Sequence, residues 1–199
     1  MTPHESFAAG AFLLRGFATD CATSLLTAIE HIAAQAPFRH MTVPGGRTMS
    51  VAITNCGAVG WVSGRKGYRY DPLDPLTGLP WPQMPECFTD LAGRAADAAG
   101  YAHFLPDACL MNHYTSGAGV SLHQDRNERD FSAPIVSVSL GSSATFLFGG
   151  ASRKDRPCRI RLDHGDLAVW GGDSRLFYHG VAKMKQGASR HNLTFRKAL

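Results

Sequence analysis

Apolar residues recur along this chain with two different periods. Over residues 21–35, Leu25, Leu26, Ile29, Ile32 and Ala33 return every three or four positions, which predicts a helix capped by Thr19 or Asp20. A second helix is predicted over 86–99, where Phe88, Leu91, Ala92, Ala95 and Ala99 fall inward and Gly100 ends the run. Between the two stands a strand-like stretch from Thr48 to Thr54, followed by a loop rich in Gly, Pro and aromatic residues. After residue 107 the period shortens. Short apolar or alternating runs follow at 108–114, 119–125, 134–140, 144–149, 158–163, 166–171, 175–180 and 190–196, with Gly, Asp, Pro or Ser in the gaps. The pattern predicts a mainly β protein of the α+β class: a double-stranded β-helix, or jelly roll, with the N-terminal helices packed outside it. Periodicity alone leaves a plain β-sandwich open.

At 199 residues, 44% hydrophobic and 18% charged, the chain is expected to fold as a single domain. Residues 1–106 then supply the helices and 107–199 the jelly-roll core. No repeat or linker divides it. A net charge of +4 and a pI near 8.9 suit an anionic partner without demanding one. The five cysteines, Cys21, Cys56, Cys87, Cys109 and Cys158, are odd in number and scattered, which fits neither a disulfide framework nor a cysteine-rich zinc site. Free thiols in a reducing cytoplasm are the simpler expectation. The N-terminal apolar run Ala8 to Leu14 follows Glu5 with no basic stretch ahead, so neither a signal peptide nor a membrane span is expected.

Candidate chemistry begins at His123-Gln124-Asp125, which closes one predicted strand. Residues two apart on a strand share a face, so His123 and Asp125 can chelate one ion together. His179, ending another predicted strand, completes two histidines and a carboxylate, the facial triad of non-haem iron(II) oxygenases. Catalytic zinc accepts the same ligands. The C-terminal strand adds to the iron reading, although taken alone it equally suits a solvent-facing strand with ordinary surface arginines. Its alternation puts Arg190, Asn192, Thr194 and Arg196 on one face and Leu193 and Phe195 on the other. Arginines on a core-facing side need anions, and a dicarboxylate such as 2-oxoglutarate offers two. The two arginine backbones lie ~20 Å apart at strand rise, so they serve one small ligand only by converging from opposite ends. Asn112 and Tyr114, also two apart, can add an amide and a hydroxyl.

Together, Met111-Asn112-His113-Tyr114, Ser121 to Asp125, Pro134 to Gly141, Arg175 to Gly180 and Asn192 to Arg196 resemble the bacterial AlkB alkylation-repair dioxygenases. So does the stretch Met41 to Trp61, with Pro44-Gly45-Gly46 and Thr48 to Ala52, and the likeness runs from about residue 10 to residue 196. The resemblance implies a jelly roll that uses Fe(II), 2-oxoglutarate and O2 to remove alkyl groups from DNA or RNA bases. N-methylated bases such as 1-methyladenine and 3-methylcytosine would be restored, with release of formaldehyde, succinate and CO2. By position, His123, Asp125 and His179 would hold iron, and Asn112, Tyr114, Arg190, Asn192 and Arg196 would hold 2-oxoglutarate. Arg190 is assigned to the carboxylate far from the metal and Arg196 to the nearer one.

The aromatic and basic segment Trp61 to Asp71 suits nucleic acid, since rings stack on an extruded base while cations meet phosphates. The resemblance makes it part of a nucleotide-recognition lid within 1–106. Trp61 is assigned to base stacking, Tyr68, Arg69 and Tyr70 to base and phosphate contacts, and Arg153 to a further substrate contact. Two features depart from the family pattern. Arg126 and Asn127 stand where a lysine and an acidic residue are usual, and the Lys183–Ser189 turn is shorter. Asn127 thereby lacks the charge that would favour cationic bases. Single- or double-stranded DNA, or RNA, is the expected partner of a monomer. The alternatives are an oxygenase acting on a protein, lipid or small molecule, a non-catalytic nucleic-acid-binding jelly roll, and a zinc hydrolase.

Overall fold

A computed structural model describes residues 4–199. The first half contributes β1 (His4–Ala8), β2 (Ala11–Leu14), α1 (Ala22–Gln35), β3 (Ala52–Gly57), β4 (Gly60–Gly64), β5 (Gly67–Asp71) and α2 (Glu86–Ala98). Eight strands follow: β6 (Ala108–Tyr114), β7 (Val120–His123), β8 (Ile135–Gly141), β9 (Ala144–Phe148), β10 (Cys158–Leu162), β11 (Leu167–Trp170), β12 (His179–Val181) and β13 (Arg190–Arg196). Each of the eight runs read from the sequence holds one of them. They divide between two sheets in the orders β11-β8-β13-β6 and β10-β9-β12-β7, the winding of a double-stranded β-helix. Strands β1 and β2 extend the first sheet beyond β11, and β3 extends it beyond β6.

The larger sheet is covered on both faces, which is why β8 reads as an unbroken buried run. On the outside, Leu25, Ile29 and Ile32 of α1 and Phe88 and Leu91 of α2 pack with Met111, Val138, Leu193 and Phe195. Phe88 meets Phe195 edge-on, ring centres 5.7 Å apart. On the inside, Leu13, Ile135 and Trp170 face Phe146, Phe148 and Leu162 of the smaller sheet. Packing Leu193 and Phe195 outward therefore turns Arg190, Asn192, Thr194 and Arg196 into the space between the sheets. All four are buried there.

Several local expectations need correction. Thr19 and Asp20 lie in a 3-10 turn, Thr19–Cys21, and neither side chain caps α1. The strand expected over Thr48–Thr54 begins at Ala52, because pairing with β6, from Ala52↔His113 to Gly57↔Ala108, sets its extent. Gly45 and Gly46, both at positive φ, turn the chain beforehand. The expected loop after it is a hairpin, β4 against β5, with Arg65 and Lys66 at the tip. Strand β7 stops at His123, so Asp125 lies beyond the ladder. His179 opens β12 instead of ending a strand, since Arg175 and Leu176 at the start of that run lie in a turn that follows the 3-10 turn Gly172–Ser174. The five cysteines are free. Among the described residues no helix is long and apolar enough to cross a membrane.

Directly opposite each other on β6 and β13, His113 and His191 stack with ring centres 4.5 Å apart, against Phe38. Burial and the facing ring push His191 down to about 4, and burial with nearby His40 lowers His113. The folded state thus prefers both rings neutral, whereas free histidine titrates near 6.5. Stability is fully present above pH ~6.5 and is lost as pH falls from there towards 4, because the unfolded chain binds more protons in that window. The melting temperature should drop between pH 7.5 and pH 5, and His191→Phe should flatten the profile. Equal slopes for both proteins would exclude this pair as the cause.

Candidate metal and cosubstrate site

His123, Asp125 and His179 converge between the sheets. Register pairs His179 with His123, and one ligand atom from each of the three residues lies within 4.8 Å of the others. Asp125 Oδ1 is 3.6 Å from His123 Nε2, and its Oδ2 is 3.5 Å from His179 Nε2. Both Nδ1 atoms sit 3.0 Å from backbone carbonyls, of Ser121 and Phe177. A carbonyl only accepts, so each Nδ1 carries the proton and each Nε2 lone pair faces the centre. This donor set fits a divalent metal. Burial, partial at the solvent edge, and repulsion from His179 push His123 down to about 4, leaving it neutral at pH 7. Against the burial that would raise it, Arg196 holds Asp125 well below the usual carboxylate range. Exposure is uneven. The His123 side chain is 41% exposed, against 5% for His179 and 8% for Asp125, so the site opens beside His123.

The polar face of β13 supplies the rest of a cavity of about 310 Å³. At one end Arg190 donates from Nη2 to Ser139 Oγ at 2.9 Å, with its guanidinium 5.0 Å from the Tyr114 ring centre. Its Nε and Nη1 are buried with no hydrogen-bond partner. A guanidinium 1% exposed with two idle donors calls for an anion, which fits the far carboxylate of 2-oxoglutarate. At the other end Arg196 Nη2 donates to Asp125 Oδ2 at 2.6 Å. Between them Asn192 Nδ2 donates to Ser137 Oγ and the Val138 carbonyl, both at 2.8 Å, and its Oδ1 accepts from Asn112 Nδ2 at 3.1 Å. Asn192 is thus spent inside the protein, and it aligns Asn112.

Of the residues read as substrate contacts, the cavity gathers Trp61, Tyr68 and Asn127. Trp61 and Tyr68 stack, 5.3 Å apart, and Trp61 Nε1 donates to Asn127 Oδ1 at 3.4 Å. Arg69, Tyr70 and Arg153 lie elsewhere. Alternation turns Arg69 to the other face of the hairpin, where it pairs with Asp71 at 2.8 Å. The Tyr70 hydroxyl points inward and donates to Glu128 Oε1 at 2.6 Å. Arg153 is exposed on the β9–β10 turn, outside this cavity. Two residues that spacing did not single out belong to the site's support. Arg175 donates to the Asp125 carbonyl at 2.9 Å, and Glu128 sits 3.4 Å from Arg175.

A jelly roll carrying two histidines and a carboxylate at its mouth, with a buried arginine waiting for an anion, has the build of a non-haem iron oxygenase. Residues 10–196 match the 2OG-Fe(II) oxygenase superfamily. The chain is 56% identical over 200 residues to the alpha-ketoglutarate-dependent dioxygenase AlkB of Escherichia coli (strain K12), covering 98% of this chain and 93% of that one. It is 36% identical over 101 residues to the nucleic acid dioxygenase ALKBH1 of Mus musculus, covering 51% of this chain and 26% of that protein. The solved structure of OsALKBH1 superposes with a TM-score of 0.84 at 27% identity, covering 98% of this chain and 100% of that one. The protein belongs to the 2OG-Fe(II) oxygenase superfamily and, within it, to the AlkB dioxygenases. Its cofactor is Fe(II) and its cosubstrates are 2-oxoglutarate and O2.

Asp125→Ala should lose measurable Mn(II) binding in anaerobic titration and should also melt at a lower temperature, since buried Arg196 loses its carboxylate partner. Arg190→Met should weaken 2-oxoglutarate binding on the order of 100-fold, the effect of two lost charge-assisted hydrogen bonds. The same variant should melt at an equal or higher temperature, because the ligand-free protein keeps a buried charge with idle donors. A lower melting temperature with unchanged 2-oxoglutarate affinity would refute that role for Arg190.

Proposed function

We propose that this dioxygenase removes alkyl groups from N-methylated bases of DNA, with RNA as a second polymer, and that it works as a monomer in the cytoplasm. The observation that carries the substrate is the Trp61–Tyr68 stack, which walls the cavity beside the metal ligands. A flat aromatic wall beside a concave site suits a base turned out of its strand. The mouth also suits a polyanion. His123, His179, Phe148 and Cys158 fall on one row of the smaller sheet. The connections after β7, before β12 and between β9 and β10 therefore leave from one end of that sheet. They carry exposed Arg126, Arg129, Arg153, Lys154 and Arg156. The mouse relative named as a nucleic acid dioxygenase supports the same reading. We take the chain to act as one unit, because strands from both halves build the larger sheet.

In this reading His123, Asp125 and His179 hold the metal. Arg190, Tyr114 and Asn112 receive the far carboxylate of 2-oxoglutarate, Asn192 aligns Asn112, and Arg196 guards the near one. The bound cofactors supply hydroxylation of an N-methyl carbon, with 2-oxoglutarate leaving as succinate and CO2. The resulting N-hydroxymethyl group breaks its C–N bond to give formaldehyde and the restored base. Trp61 and Tyr68 hold the base plane and Asn127 meets its edge. Arg153 and the other exposed cations, with Arg69 at the hairpin's outer face, meet phosphates.

Incubation with Fe(II), 2-oxoglutarate and air should remove methyl groups from methylated single- or double-stranded DNA or from RNA, read by base mass spectrometry. No loss from any polymer would defeat the assignment. Asn127 carries no charge, so cationic 1-methyladenine and 3-methylcytosine should be favoured over neutral N-methylated bases less strongly than in Asn127→Asp. The ratio of kcat/KM values should differ roughly three- to tenfold, about 0.7–1.4 kcal/mol. A wild-type ratio equal to or above that of the variant would exclude this role for Asn127.

A further inference from the structure

Around the metal-side carboxylate lies a buried cluster of four charges. Arg175 and Arg196 are 3% and 4% exposed, and Asp125 and Glu128 are 7% and 5% exposed. Asp125 alone would leave one guanidinium uncompensated in a place where an unpaired charge is strongly disfavoured. Glu128 supplies the second carboxylate. It lies 3.4 Å from Arg175 Nη2 and 3.6 Å from Arg196 Nε, both at ion-pair length. Glu128 Oε2 and Arg196 Nε have no hydrogen-bond partner. These two contacts thus stand at ion-pair length without closing to hydrogen bonds.

Tyr70 completes the cluster. Tyr70 donates to Glu128 Oε1 at 2.6 Å and accepts from Arg196 Nη1 at 3.2 Å. Tyr70 lies on β5 directly opposite Trp61 on β4, so the two side chains share one face of the hairpin. Tyr70 is thus the cross-strand neighbour of Trp61 on the face that also carries the Trp61–Tyr68 stack. From there the chain of contacts runs through Glu128 and Arg196 to Asp125 Oδ2, 2.6 Å from Arg196.

We propose that Glu128 is a positioning residue that holds Arg196 for the cosubstrate side of the site and, through Tyr70, ties the β4–β5 hairpin to the metal-side carboxylate. Occupancy of the hairpin is thereby felt at Asp125, which links seating of a substrate to use of 2-oxoglutarate. The hairpin half of this inference rests on the reading of Trp61 as a base contact; the Arg196 half does not.

The test uses the full chain with Glu128→Gln and Tyr70→Phe, both close in shape to the original. In anaerobic calorimetry of the Mn(II)-loaded protein, the Kd for 2-oxoglutarate should rise three- to tenfold in each variant. A fall in melting temperature with unchanged Kd would show that the cluster only stabilises the fold, and would overturn the proposal. In air with a methylated oligonucleotide, formaldehyde formed per succinate should fall at least threefold in both variants relative to wild type. A raised Kd with an unchanged ratio would overturn the hairpin link. Absence of any wild-type turnover on oligonucleotides would sink the nucleic-acid reading instead, and the calorimetry would still decide the role of Glu128.

Discussion

Arg196 and Asp125 meet at 2.6 Å with both side chains almost wholly out of water, and much of the site hangs on that contact. Asp125 stands two residues past the end of β7, where no ladder hydrogen bond fixes its backbone. Its position comes instead from side chains: Arg196 grips the carboxylate, and Arg175 grips the carbonyl of the same residue. A buried ion pair is poor evidence of stability, since desolvation offsets most of the attraction. Here its value is geometric. It aims a carboxylate that the sheet itself cannot aim, and holds it ionised beside the two imidazoles.

That contact requires β13 to arrive in one register only. Leu193 and Phe195 bury themselves against α1 and α2, so the polar residues between them must face the space between the sheets. A slip of one position would put Arg190 and Arg196 into the helix-packed core and Phe195 into the cavity. Hydrophobic packing on one side of the strand thus decides where the cations stand on the other. The same strand carries both ends of the cosubstrate site, with the idle donors of Arg190 at its start and the occupied ones of Arg196 at its finish.

What could be read from the sequence follows from the same division. The eight strands after residue 107 were legible because each alternates or runs apolar between turn residues, and β13 disclosed its two faces plainly. The triad was legible as residue types, but not as geometry. Nothing in the local sequence shows that β7 stops at His123, because that boundary is set by its pairing with β12. The hairpin was read as a loop since Gly64, Arg65, Lys66 and Gly67 give a turn signal without flanking apolar alternation. Glu128 was not singled out, and Arg175 entered only as the first residue of a motif, with no role of its own. Each sits in a polar or irregular stretch, and their partners lie tens of residues away, so no periodicity could pair them.

Asn127 shows how such distant contacts alter local chemistry. The indole Nε1 of Trp61 can only donate, so the amide oxygen of Asn127 must be the atom that faces it, at 3.4 Å. With that oxygen engaged, the amide nitrogen is the group left to meet a base edge. A carboxylate in its place would accept from Trp61 with one oxygen and still present a negatively charged acceptor with the other. The departure from the family pattern therefore changes more than charge: it exchanges an acceptor for a donor at the edge of the cavity. On the proposed reading of Asn127 as a base contact, bases bearing a carbonyl oxygen next to the methylated nitrogen would meet a partner there, whereas a cationic amino edge would meet another donor. The stacking wall and the metal ligands are untouched by the exchange, so selectivity can move between lesions while the oxidising chemistry stays the same.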